Sequence, residues 1–407
     1  MNLDAIASIT SKDIQHVHND RSDGAVWRSD AQGKVSSPEG LRAAKKEISN
    51  WNGYQPTPLV SLPGLADALG LKNILYKDES LRFGLGSFKA LGGAYAVYRL
   101  LSEFVEMHRS TKKPTSSELL SGIYAATTQG VTVSSATDGN HGRSVAWGAK
   151  QFGCQCVIYI HAKVSQGRED ALRDLGAVVV RVAGNYDEAV RQCAQDSERN
   201  GWFVVSDTSY EGYMEVPRNV MEGYSLLATE IIEQLEGSIP SHVFVQGGVG
   251  GIAAALCGAF WLQWAEKRPR FVIVEPELAP CLFTSAKNDK LTSVEITDET
   301  LMAGLSCGEV SPLAWKVLET GVSDFLTIPE TFVAPTMRLL AQSPLDDPAI
   351  VAGESAVAGL AALIASARAQ NLRDALAINE QSSVLVIGTE GATDPEIYHQ
   401  LVAQQSG

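Results

Sequence analysis

A chain of 407 residues, 45% of them hydrophobic and 20% charged, exceeds what one simple core organises and is ordinary in composition for a globular protein. Its formal net charge of −14 argues against nucleic acid or an anionic membrane surface as a partner. The opening "MNLDAIASITSKD" has no basic region and no apolar stretch of signal-peptide length, so a cytoplasmic protein is expected.

In chain order, apolar strand candidates fall at 73–77, 131–136, 156–161, 177–182, 202–206, 242–246, 270–275, 324–328 and 383–388. Helical patterns separate most of them, at 89–108, 140–153, 166–175, 185–200, 216–236, 250–267, 353–370 and 394–404. Continuous apolar strands between amphipathic helices predict parallel sheets covered on both faces, and so an α/β fold. The polar piece 108–122 reads as a surface insertion, and 342–355 as a proline-broken loop leading into a helix. The most apolar run, "GGIAAALCGAFWLQWA" from Gly250, is interrupted by Gln263 and too short to span a bilayer; it reads as a buried helix. Cysteines at 154, 156, 193, 257, 281 and 307 lack the paired spacing of a zinc site, so no metal is expected. Reduced thiols are expected, with Cys281 and Cys307 the pair that a loop could bring together.

Three glycine-rich turns follow strands. In "ATDGNHGRSVAWGA", Thr137 to Gly142 lead into a helix whose N-terminus favours an anion, although Asp138 or Asn140 would equally serve as a helix cap. In "FVQGGVGGIAAA", Gly247, Gly248, Gly250 and Gly251 let a phosphate approach the backbone closely. That segment also matches a dinucleotide fingerprint loosely, as Gly248-x-Gly250-x-x-Ala253, with Glu275 where a ribose-binding acid would stand. In "LVIGTEGATDPE", Thr389 ends a strand where open α/β sheets hold their ligands, while Thr393 or Asp394 caps the helix that Pro395 begins.

One residue decides between these readings. Lys89, in "KDESLRFGLGSFKALGGAYAV", opens an apolar helix with no other charge before Arg99. An apolar setting favours the neutral amine that imine formation requires. A nicotinamide oxidoreductase gives Lys89 and "TDGNHG" no task. Pyridoxal phosphate uses all three turns and the lysine.

The sequence resembles the β-family, or fold type II, of pyridoxal-phosphate enzymes, the fold of tryptophan synthase β-chains and threonine dehydratases. The segments "YQPTPLVSLPGLA", "KDESLRFGLGSFKALGGAYAV", "ATDGNHGRSVAWGA", "SDTSYEGYMEVPRNVMEGY", "MAGLSCGEVSP", "AGESAVAGLAAL" and "GTEGATDPEIY" carry the resemblance from about residue 54 to 398. Asp138 in "TDGNHG" and the stretch "DTSYEGY" are similar to the diaminopropionate ammonia-lyase subfamily, since most dehydratases have a small residue at the aspartate's place.

The resemblance implies two lobes, each a mostly parallel open twisted sheet covered by helices, with the cofactor in the cleft between them. The large cofactor-binding domain would comprise 1–85 and 207–407, and the small domain 86–206. Lys89 would hold pyridoxal 5'-phosphate as an imine, with Phe88 beside its ring and Asn140 on its phenolic oxygen. Gly247, Gly248, Val249, Gly250 and Gly251 would cradle the phosphate, Thr389 would face the pyridine nitrogen, and Glu354 would approach the ring. Ser87, Thr137, Asp138, Gly139 and His141 would bind the substrate, a small amino acid. Lys89, Asp138 and Asp207 would be catalytic, the two carboxylates supplying the acid–base equipment that loss of an amine needs.

The implied reaction is α,β-elimination of D- and L-2,3-diaminopropionate to pyruvate and ammonia by a homodimer. A serine or threonine dehydratase of the same fold, and more remotely the oxidoreductase, remain as alternatives. Two departures bear on the substrate: Gly86-Ser87 stands where an asparagine and a small residue are expected, and Ala356 where glycine is common.

Overall fold

A computed structural model of the chain describes residues 6–137 and 139–403. These described residues divide into two compact units, the larger falling within 1–37, 56–87 and 227–407 and the smaller within 38–55 and 88–226.

The larger unit is built on a sheet in the order β1-β10-β9-β8-β11-β3-β2. Its centre is parallel: β3 (Asn73–Asp78), β8 (His242–Gln246), β9 (Arg270–Pro276), β10 (Asp324–Ile328) and β11 (Ser383–Gly388). Every residue of β8 and β10 is buried, as strands covered on both faces require. Two short antiparallel strands close the edges, β1 (Gln15–His18) on β10 and β2 (Leu59–Ser61) on β3. Neither contains a fully buried residue, and neither is long enough to show as an apolar run in the sequence.

Helices Gly251–Trp264 and Ala358–Ala367 are apolar around their whole circumference; all of the second is buried, as is the first through Trp261. The second begins later than the pattern at 353 suggests, because the Gly353 N–H donates to the Glu390 carbonyl and Ala356 turns back on Gly353.

Four buried charges lock one corner of this unit. Arg82 donates Nε and Nη2 to Glu79 at 2.8 Å each, and Nη1 and Nη2 to Glu230 at 2.7 Å each. Lys77 donates to Glu230 at 2.9 Å, to the Thr57 carbonyl at 2.8 Å and to Gln234 at 2.9 Å. None of the four is more than 1% exposed. Two cations thus balance two anions, and each nitrogen and oxygen finds partners that offset its desolvation. The segment they fix, Glu79–Gly84, leads directly to the "GLGSFK" turn.

The smaller unit has a fully parallel sheet in the order β6-β5-β4-β7: β4 (Thr132–Ala136), β5 (Gln155–Ile160), β6 (Val178–Arg181) and β7 (Phe203–Val204). Every strand read from the sequence is present in one sheet or the other, with β7 cut to its first pairings.

The division differs from the sequence reading, which places 38–55 and 207–226 in the large domain and 86–87 in the small one. Helix Pro38–Ile48 and its sequel pack in the smaller unit instead. Ser116 donates its N–H to the Glu47 carboxylate at 2.8 Å, and Trp51 packs on Trp147 and Phe152 with ring centroids 5.8 and 5.6 Å apart. Residues 207–226 belong there through Glu222, which takes Arg99 at 2.9 Å, and through Tyr224 against Phe88.

Replacing Arg82 with methionine leaves Glu79 and Glu230 buried without their shared cation, and costs about 3–5 kcal/mol. Equilibrium urea unfolding measures the loss; an unchanged midpoint would show that the network contributes nothing.

Candidate active site

Lys89 opens helix Lys89–Arg109, whose first turns carry the small residues Ala90, Gly92, Gly93 and Ala94. Glycine inside a helix costs roughly 1 kcal/mol relative to alanine, and here packing explains its presence. A Cβ on Gly92 would lie 2.3 Å from the Tyr224 ring, and one on Gly93 2.6 Å from the Ser144 hydroxyl. Gly148 meets the Cα of Ala94 in the same way, at 2.7 Å, and the Ser144 hydroxyl accepts the Ala94 N–H at 3.0 Å. The helix is thereby pressed against helix Asn140–Phe152 on one side and against Val220–Tyr224 on another.

This packing sets the chemistry around the lysine. The Lys89 ammonium donates to the Asp207 carboxylate and lies 5.5 Å from the Phe88 ring centroid. The Phe88 ring is 4.8 Å from that of Tyr224, a buried residue whose phenol burial pushes well above its usual range. Burial alone would raise the Asp207 carboxyl. The Lys89 ammonium beside it outweighs that effect and holds it below the usual carboxylate range.

Asp207 is held by its own neighbourhood in sequence. The Tyr213 hydroxyl accepts the Ser206 N–H at 3.0 Å and donates to the Val204 carbonyl at 2.8 Å. His141 Nε2 donates to the Val205 carbonyl at 2.9 Å. Three consecutive residues before Asp207 are therefore tethered. The sequence reading passes over Tyr213 and Tyr224, although both lie in the stretch "DTSYEGYMEVPRNVMEGY".

In the turn before helix Asn140–Phe152, the Thr137 hydroxyl accepts the N–H groups of Gly139 at 3.1 Å and Gly142 at 3.2 Å. Thr137 therefore satisfies both of these donors. Gly142 is required by close approach, since a Cβ there would sit 2.3 Å from the Thr137 methyl. Asn140 is half-buried at the first helical position. His141 turns its ring toward Val205 and Asp207. Asp138 lies outside the described residues.

The larger unit carries the remaining candidates. Gly247 to Gly250 link β8 to helix Gly251–Trp264, and Gly250 adopts φ +96°, a conformation L side chains rarely take. A Cβ on Gly247 would fall 2.7 Å from Ile273, and one on Gly250 2.9 Å from Leu318. The N–H groups of Gly248, Val249 and Gly250 donate to no backbone carbonyl among the described residues.

Beside this loop, the last residue of β8, Gln246, donates its amide to the carbonyls of Ala356 and Ile387 at 2.8 Å and to the Thr389 hydroxyl at 3.3 Å. Thr389 is buried, with its oxygen accepting from Gln246, and so keeps its own proton to donate. Ala356, at a position where glycine is common, serves through its carbonyl. Gly86 has φ +75°, which glycine takes freely and asparagine tolerates, so that departure preserves the turn. Ser87 bridges to Glu390, whose carboxylate accepts the Ser355 N–H at 3.1 Å beside the buried Glu354. Cys281 and Cys307 are thiols and not a disulfide. They flank Gly248: Cys281 donates to its carbonyl at 3.5 Å, and Cys307 Sγ lies 3.3 Å from where a Cβ would stand.

Glu275 removes the dinucleotide reading. Its carboxylate is fully buried and accepts the N–H groups of Leu282 at 3.0 Å and Phe283 at 2.6 Å. No oxygen is presented to a ribose. Asp394, by contrast, caps the helix that starts at Pro395, accepting the Ile397 N–H at 3.4 Å as the sequence suggests.

The family model for pyridoxal-phosphate dependent enzymes matches residues 51–390. Diaminopropionate ammonia-lyase of Escherichia coli K12 is 41% identical over 355 residues, covering 86% of this chain and 88% of the relative. The chain belongs to the pyridoxal-phosphate-dependent enzymes, in the diaminopropionate ammonia-lyase family. Two solved structures of the Escherichia coli lyase are similar over 96% of both chains. One, in complex with D-serine, has TM-score 0.87 and 38% identity. The other, in complex with an aminoacrylate–PLP azomethine reaction intermediate, has TM-score 0.85 and 37% identity.

The residues present fit the family's cofactor. A loop that side chains would fill, and whose N–H groups take no backbone acceptor, suits a phosphate. A buried hydroxyl with a proton to give suits an unprotonated ring nitrogen.

Burial pushes the Glu275 carboxyl up to about 8 from 4.5, against the pull of its two N–H donors. Between those values the unfolded chain releases the proton while the folded chain keeps it, so stability falls as pH rises from 4.5 through 8. Glu275→Gln removes this contribution, and the melting temperature across that range becomes flatter than in the wild type. An identical slope in both proteins would refute the assignment.

Proposed function

We propose that the chain is a pyridoxal-phosphate-dependent ammonia-lyase that eliminates the β-amino group of D- and L-2,3-diaminopropionate, giving pyruvate and ammonia. The observation that carries the reading is the contact of the Lys89 ammonium with the Asp207 carboxylate, in a family whose relatives bear this activity in their names. Pyridoxal phosphate, when bound, supplies the electron sink that makes the substrate's α-hydrogen acidic.

The protein's own groups do the rest. Lys89 would hold the cofactor, and its free amine would be ready to carry a proton. The Gly247 N–H is taken by the Val274 carbonyl at 2.8 Å, so the N–H groups of Gly248, Val249, Gly250 and Gly251 would hold the phosphate and Gly247 would only give the loop room, which makes the larger unit the main cofactor-binding domain. Thr389, its oxygen engaged by Gln246, would donate to the ring nitrogen and leave it unprotonated, which favours elimination over transamination. Phe88 would lie beside the ring, Asn140 would bond the phenolic oxygen, and Glu354 would approach the ring. Ser87, Thr137, Gly139 and His141 belong to the substrate site, where the helix N-terminus after Thr137 receives the carboxylate.

An amine departs only when protonated, so the reaction needs acids as well as a base. Asp207 takes the α-proton of the L-isomer, and Asp138 that of the D-isomer, because one base on one face cannot reach both hydrogens. After ammonia leaves, the released enamine hydrolyses to pyruvate and a second ammonia. The assembly is a cytoplasmic homodimer, as the resemblance implies.

The deciding experiment measures keto acid and ammonia released from each diaminopropionate isomer, serine and threonine. Efficient release from diaminopropionate is expected, and Lys89→Ala should abolish it while leaving a folded protein without the borohydride-sensitive visible band. Serine or threonine turnover with inert diaminopropionate would give the dehydratase reading instead.

Kinetics on pure enantiomers separate the aspartates. Asp138→Asn should depress D-turnover about 100-fold more than L-turnover, and Asp207→Asn should show the reverse bias. Equal losses on both isomers would mean that the carboxylates only bind the distal ammonium.

A further inference from the structure

His141 has an open nitrogen in a closed place. Its ring is only 7% exposed, and its Nε2–H is committed to the Val205 carbonyl at 2.9 Å, which fixes the tautomer of the neutral ring. Nδ1 therefore carries a lone pair, and it has no hydrogen-bond partner. It lies 3.8 Å from Asp207 Oδ2, the same oxygen that takes the Lys89 ammonium.

A lone pair facing a carboxylate is unfavourable until a proton enters the gap. Two charged groups face the ring from the elements around it. Burial lowers the His141 midpoint most, Asp207 raises it, and Lys89 lowers it. While Lys89 is an ammonium on Asp207, the imidazole stays neutral. Once the lysine nitrogen is engaged elsewhere and uncharged, Asp207 has lost its cation and His141 its repulsion. Closing the gap by about 1 Å then makes it a hydrogen bond.

We propose that His141 is the proton-sharing partner of Asp207, a positioning residue that receives and returns the proton Asp207 takes from substrate. The inference rests on the reading of Asp207 as the base for the L-isomer. The C–H bond breaks with its electron pair left on carbon, and an O–H bond forms on Asp207. The proton moves to Nδ1 as that O–H bond breaks, restoring the carboxylate. It returns through Asp207 to the neutral β-amine, which leaves as ammonia with the electron pair of the broken C–N bond. His141 ends neutral, and no outside acid, base or oxidant is consumed. The committed Nε2–H keeps Nδ1 aimed at Asp207 throughout.

The test has two arms, both on the full-length holoenzyme. In the first, NMR of labelled imidazoles follows the seven histidines, with His141 assigned by its loss in His141→Gln. Asp207→Asn removes the carboxylate and should lower the His141 midpoint by about one pH unit. A midpoint unmoved by Asp207→Asn overturns the pairing, whatever the substrate proves to be.

In the second arm, His141→Gln should lower kcat for L-diaminopropionate by about 10- to 100-fold, shift the acidic limb of its pH profile, and depress L-turnover about 10-fold more than D-turnover. The cofactor's visible band should be unchanged. Equal losses on both isomers, or none, overturn the relay. If Asp207→Asn itself shows no bias toward the L-isomer, the assignment of Asp207 fails, and the NMR arm still decides the pairing.

Discussion

The smaller unit depends on how closely helix Lys89–Arg109 can approach its neighbours. Two glycines side by side, Gly92 and Gly93, allow contact with Tyr224 on one flank and Ser144 on the other, and Gly148 and Gly223 complete the approach from the opposing helices. Contacts this tight leave no room for a methyl group, so the helix cannot slide along its axis without a steric clash. The position of Lys89 relative to Asp207 and His141 follows from that fit. The cost is two poor helix formers in one turn, which buried packing offsets.

The apolar strands and the helices between them are legible because burial on both faces leaves continuous runs in the sequence. Strands β1 and β2 escape for the converse reason: an edge strand half in water needs no such run. Short helices such as Ser116–Leu120 also fall below the length at which periodicity speaks, although that one carries a full capping box at Thr115 and Glu118.

At the site, chemical identity is more legible than geometry. Lys89, Thr389 and the glycine loop declare themselves through residue type and place after a strand. Gln246 does not, because a glutamine closing an apolar strand looks like an ordinary boundary residue until its amide is seen to reach Ala356, Ile387 and Thr389 together. The role of Glu275 misleads for a related reason. An acid at a strand end is common to ribose binding and to holding a following backbone turn, and only the direction of the carboxylate separates the two.

The Tyr213 tether has a consequence for how such a site can be inherited. The group proposed as base and the group that holds its strand end lie within one short stretch, Val204 to Tyr213, whose ends are joined by bonds internal to it. Errors of register introduced elsewhere in the chain, by insertion or deletion in a distant loop, leave that relationship intact. The stretch thus behaves as a self-aligning cassette, able to pass between scaffolds with its internal geometry already specified.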